Sequence, residues 1–60
     1  MKKIRILLAD DNSHVRQLLA CLLSNEHRIV ETVADGRALV TVAAELRPDI
    51  VISDIDMPVV

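Results

Sequence analysis

The sequence contains no phenylalanine, tyrosine or tryptophan, a single cysteine, Cys21, and a single glycine, Gly36. One cysteine excludes a disulfide within the chain, and no Cys/His cluster has zinc-ligand spacing. Both staples on which folds of this size usually lean are therefore missing. No apolar run approaches the length that spans a bilayer. The opening MKKIRILLADD begins like a signal peptide, but Arg5 and the Asp10-Asp11 pair leave too short an apolar core. Basic residues, seven against nine acidic, are scattered and give a formal net charge of −2. That pattern carries no footprint for nucleic acid or an anionic membrane. A soluble cytoplasmic protein with a reduced thiol is the expectation, with no membrane partner and no direct nucleic-acid binding.

What is present is ordinary globular material: 52% apolar and 27% charged residues in a chain of 60, outside the range of disordered sequences. A chain this short makes at most one small domain and buries only ~60% of the surface its unfolded form exposes. Marginal stability follows. A partner, either a second copy or a continuation of the chain, is the expected source of further burial.

The first apolar run, IRILLA at 4–9, is closed by two aspartates and suits a buried strand. Val15, Leu18, Leu19, Leu22 and Leu23 then recur at the spacing of one helical face, with Ser13 as the expected N-cap. SNEH at 24–27 breaks that helix. In RIVETVAD the alternation of apolar and polar residues is mixed, which predicts a lateral strand with one face or edge less buried. Asp35-Gly36 marks a turn, Leu39, Val42, Ala43 and Leu46 predict a second helix, and Arg47-Pro48 ends it. DIVISD at 49–54 supplies a third apolar strand.

This order, β-α-β-α-β, predicts an α/β fold with a parallel sheet and helices on both faces. Right-handed crossovers to opposite sides of the first strand give the sheet order 2-1-3. The C-terminal ends of strands 1 and 3 then meet at the switch point, where ligands bind in open α/β sheets. Asp10 and Asp11 would stand there beside Asp54, although they lie more than forty positions apart in sequence. Three carboxylates sharing one mouth repel each other, and an all-oxygen site of this kind suits Mg²⁺. A divalent ion would also neutralise phosphate oxygens, making one carboxylate a workable nucleophile towards a phosphoryl group. Taken singly, each acidic segment has a bland reading as a turn, helix start or strand terminator. Jointly they point to a site.

On ILLADDN at 6–12, ADG at 34–36 and LRPDIVISDIDMP at 46–58, together with the intervening helix, the chain resembles the receiver domain of bacterial two-component response regulators. The resemblance implies a partial flavodoxin-like fold, with residues 1–60 as the N-terminal half of a receiver domain (strands 1–3, helices 1–2). It also implies a phosphoacceptor at Asp54 and Mg²⁺ held by Asp10, Asp11, Asp54 and the backbone carbonyl of Asp56. Met57 and Pro58 match the loop after the acceptor. A histidine kinase or a small phosphodonor is the implied source of the phosphoryl group. The family's Ser/Thr, Lys and aromatic switch residues have no counterpart here, since the only lysines are Lys2 and Lys3 and aromatics are lacking.

Phosphoacceptance, with no activity beyond Mg²⁺-dependent self-phosphorylation, is one expectation. The other is a non-catalytic interaction or assembly half-domain, dimerising through strand 3, whose apolar run is that of a strand buried on both faces. A third reading starts from Asp54-x-Asp56, which is similar to the D-x-D of haloacid-dehalogenase-type phosphatases. Met57-Pro58 departs from that motif, and Asp10-Asp11 would go unexplained. His14 and His27 are expected to be solvated, and Cys21 to pack as a small hydrophobe.

Overall fold

The computed structural model describes residues 3–54. Five elements follow one another: β1 (Arg5–Ala9), α1 (Ser13–Leu23), β2 (Arg28–Val33), α2 (Gly36–Leu46) and β3 (Ile50–Ser53). The three strands form one parallel sheet in the order β2-β1-β3, as the alternation of elements predicts. Central β1 is buried from Ile6 to Ala9, with Leu7 and Leu8 both at 0% exposure.

Successive side chains of a strand point to opposite faces, so β1 feeds two half-cores. On one face Leu7, Ala9 and Val33 pack against Ala38, Leu39, Val42 and Ala43 of α2. Ile6 and Leu8 face the other way and are also buried, beneath α1, which packs on β1 and β2. The helices thus cover both faces.

The mixed alternation of β2 has a structural cause. Ile6 pairs with Ile29 but Leu7 pairs with Glu31, so Val30 is an extra residue in the ladder. Such an insertion flips the alternation beyond it. Ile29 therefore shares the α1 face with Ile6, while Val33, of the same parity in sequence, joins Leu7 and Ala9 beneath α2.

Helix α1 departs from expectation in two ways. Its N-cap is Asn12 and not Ser13: the Asn12 Oδ1 accepts from the backbone N–H groups of His14 (3.0 Å) and Val15 (3.1 Å). Asparagine caps as well as serine does, and the cap falls one residue earlier because the chain turns immediately after Asp11. The expected apolar face is also divided. Leu19 and Leu23 turn inward with Arg16 and Ala20, whereas Val15, Leu18 (59%) and Leu22 (60%) are exposed. The leucine arc is wider than the strip that two strands can cover. Cys21 lies on the outer side and is exposed, contrary to its expected packing role. The end of α1 falls where SNEH predicts it, with Ser24 as C-cap and its N–H donating to the carbonyl of Ala20 at 3.0 Å.

Helix α2 is fixed at both ends. The Asp35 carboxylate accepts from the N–H of Ala38 at 2.8 Å, which satisfies one of the donors that a helix start leaves without a partner. At the other end Arg47 adopts a left-handed conformation (φ 47°), so the helix stops before Pro48 as expected. The guanidinium of Arg5 donates to the carbonyls of Leu46 (2.7 Å) and Arg47 (2.8 Å). A cation thereby meets the negative end of the helix dipole. Among the described residues, no helix is long and apolar enough to cross a membrane.

Candidate metal centre

The site is built by extending the sheet one residue past each of two strands. Beyond the end of β1, the N–H of Asp10 still donates to the carbonyl of Val33 at 3.0 Å. Beyond the end of β3, the N–H of Asp54 donates to the carbonyl of Ala9 at 3.1 Å. Both aspartates are therefore placed by backbone pairing to β strands, the least adjustable part of the fold.

Asp10 is 7% exposed and is the buried charged residue among those described. An Asx turn holds its carboxylate, Oδ1 accepting from the N–H of Asn12 at 2.9 Å. Its carbonyl accepts from Nη1 of Arg16 at 2.7 Å. Asp11 is exposed and Asp54 is half-buried. One carboxylate oxygen from each of Asp10, Asp11 and Asp54 lies within 4.8 Å of the others.

Three negative charges at that separation repel by about 1 kcal/mol per pair even in water, and by several-fold more at the dielectric of a protein surface. The N-terminus of α1, which opens two residues after Asp11, offsets part of this through its partial positive charge. The donor set is hard, anionic and made wholly of oxygen. It fits Mg²⁺ and is a poor match for softer metals that favour imidazole or thiolate.

Structure thus brings together the three side chains that the sequence nominated. Asp56, Met57 and Pro58 lie outside the described residues. Two contributors escaped sequence reading. Asn12 both caps α1 and donates to Asp10, and its preference for N-caps was the available signal. Arg16 gave none, because a lone arginine on a helix reads as surface. Of the histidines, His14 is exposed as expected, but His27 is half-buried, and its Nδ1 is buried without a hydrogen-bond partner among the described residues. The turn after α1, where the N–H of His27 donates to the carbonyl of Leu23 at 2.9 Å, tucks the ring inward. A shallow open depression of about 330 Å³ lined by Asp35, Arg37, Ala38, Thr41 and Val42 includes none of the three aspartates.

A parallel sheet with three carboxylates grouped at its switch point defines the class: an α/β module of the kind that binds ligands at the carboxyl ends of its strands. The response regulator receiver domain family matches residues 6–60, and the chain belongs to it. Similar curated proteins include a protein-glutamate methylesterase/protein-glutamine glutaminase of Caldanaerobacter subterraneus subsp. tengcongensis, 45% identical over 60 residues covering 97% of this chain and 16% of that protein. A protein of the same description from Nocardioides sp. is 43% identical, again over 97% of this chain and 16% of the relative. One from Vibrio cholerae serotype O1 is 34% identical over 93% of this chain and 15% of its own length. The chain thus spans about a sixth of the length of these relatives.

Proposed function

We propose that the chain is a phosphoacceptor module of two-component signalling in which Asp54 receives a phosphoryl group from a histidine kinase or a small phosphodonor. A carboxylate oxygen of Asp54 forms the new P–O bond as the donor's P–N or P–O bond breaks, and the electron pair of that bond leaves with the donor. The product is an aspartyl phosphate. Asp10 and Asp11, with Asp54 and the backbone carbonyl of Asp56, are the residues that would hold Mg²⁺. When bound, the ion supplies neutralisation of carboxylate and phosphate charge. Asp10, locked by its amide, carbonyl and side-chain bonds, keeps one wall of the site fixed. Asp54, anchored by its N–H to Ala9, keeps the nucleophile beside it.

The observation that carries this reading is the convergence of the three carboxylates at the end of the sheet, in a chain of the receiver family. Intact mass after incubation with acetyl phosphate and Mg²⁺ tests it. A gain of one phosphoryl group in the wild type and none in Asp54→Asn is the expected result; equal gain in both overturns it.

The module is proposed to work in the cytoplasm as the N-terminal half of a receiver domain, with no turnover beyond its own phosphorylation. The methylesterase and glutaminase activities in the relatives' names are not assigned to this chain, which matches about a sixth of their length. The exposed outer strand favours a second reading. Among the described residues β3 is an outer strand of the sheet, with Ile50 and Val51 44% and 45% exposed, and an exposed apolar outer strand recruits another strand. On this reading the chain is an interaction unit that homodimerises through β3 and does not signal by phosphorylation. Sedimentation discriminates: a dimer lost on Val51→Lys supports it, and a folded monomer at micromolar concentration removes it.

A further inference from the structure

We propose that Arg16 is the positioning residue of the acidic site, holding the Asp10 backbone so that the Asp10 carboxylate is aimed at a bound cation before the cation arrives. This inference rests on the cation-binding reading above and assigns a role to a residue that reading does not use.

Asp10 is held through its amide, its carbonyl and its carboxylate. Its N–H donates to Val33, its carbonyl accepts from Arg16, and its Oδ1 accepts from the N–H of Asn12. Two of these are set by the sheet and by a local turn. The third, at 2.7 Å, is the shortest and reaches across from α1. It is also charge-assisted, which makes it roughly twice as strong as a neutral bond.

Arg16 is suited to that place. It is half-buried on the inner side of α1, between helix and strand, where a guanidinium is tolerated better than a more strongly hydrated ammonium. Its bond goes to a backbone carbonyl and not to a carboxylate, so it fixes the ligand residue without consuming a ligand oxygen. The Asx turn engages Oδ1 of Asp10, and one oxygen of the same carboxylate lies within 4.8 Å of those of Asp11 and Asp54. One side chain thus ties the first turns of α1 to the residue that follows β1. Outer partners of this kind orient metal ligands, and their loss typically weakens metal binding by ~10–100-fold.

The test compares Arg16→Gln, Arg16→Lys and Arg5→Gln for Mn²⁺ affinity, read by the electron-paramagnetic resonance signal of free Mn²⁺, and for hydrogen exchange at the Asn12 amide. Arg5 is the control: its guanidinium closes α2 at the opposite end of the sheet. Arg5→Gln is expected to lower the melting temperature without changing Mn²⁺ affinity. Arg16→Gln is expected to weaken Mn²⁺ binding by about tenfold and to accelerate exchange at Asn12, with Arg16→Lys intermediate in both. Should Arg16→Gln fail to fold, Arg16→Lys against wild type gives the same reading. Wild-type affinity and exchange in the Arg16 variants, or tighter Mn²⁺ binding in Arg16→Gln, overturn the proposal. Failure of the underlying site is seen separately, as Mn²⁺ binding that Asp10→Asn and Asp54→Asn leave unchanged.

Discussion

The N–H of Asp54 donates to the carbonyl of Ala9 at 3.1 Å, one rung past the last paired residues of β1 and β3. That rung sets Asp54 next to Asp10, so the separation of their carboxylates is governed by strand spacing together with the short reach of both side chains. A longer acid at position 54 overshoots. Asp54→Glu is expected to retain negative charge but lose phosphoryl gain from acetyl phosphate, and intact mass checks this.

Divalent cation should stabilise the fold. An ion that binds only the native state adds about 2.7 kcal/mol at one hundred times its dissociation constant. Thermal melts with Mg²⁺ and with chelator are expected to differ by several degrees in the wild type. In Asp10→Asn the two melts should coincide.

Asn12→Ala removes the cap of α1 and is expected to cost about 1 kcal/mol, measured by urea denaturation. Ser13→Ala, one residue on, should cost a few tenths at most. The reverse ranking would return the cap to Ser13.

Arg47→Gly relieves the left-handed backbone at the end of α2. A non-glycine residue pays roughly 1–2 kcal/mol there, part of which returns as added unfolded-state entropy. A net gain of a few tenths to 1 kcal/mol is expected, provided Arg5 keeps its two carbonyls. Combining it with Arg5→Gln should cancel the gain.

Leu7→Ala and Leu8→Ala empty the two half-cores from opposite faces of the same strand. Each is expected to cost ~2–5 kcal/mol, which a chain of this size cannot absorb. Loss of the cooperative melt by circular dichroism is the measurement, and Val15→Ala on the exposed side of α1 is the silent control.

The strands and helices were legible in the sequence because their signals were strong and local: continuous apolar runs for β1 and β3, leucine periodicity for α1, Arg47-Pro48 for the end of α2. The acidic rim was legible because topology alone brings the ends of β1 and β3 together. What could not be read depended on depth and on which way a helix rolls. Nothing in the order of residues says that Leu18 and Leu22 turn outward while Arg16 turns in, since that is decided by how much sheet lies beneath α1. The same roll exposes Cys21. His27 is tucked under by a turn in which its own N–H and that of Glu26 both donate to the Leu23 carbonyl, bonds to which side-chain identity is nearly blind. The mixed pattern of β2 was visible, but its cause, the unpaired Val30, exists only in relation to β1.

Because side-chain direction alternates along β3, sliding that strand by a single position against β1 would swing the Asp54 carboxylate to the opposite face and leave Asp10 and Asp11 alone. A cation that needs all three oxygens can engage only the correctly aligned pairing. The ion would thus act as a proofreader of folding, favouring the one alignment of β1 and β3 that also creates the chemistry.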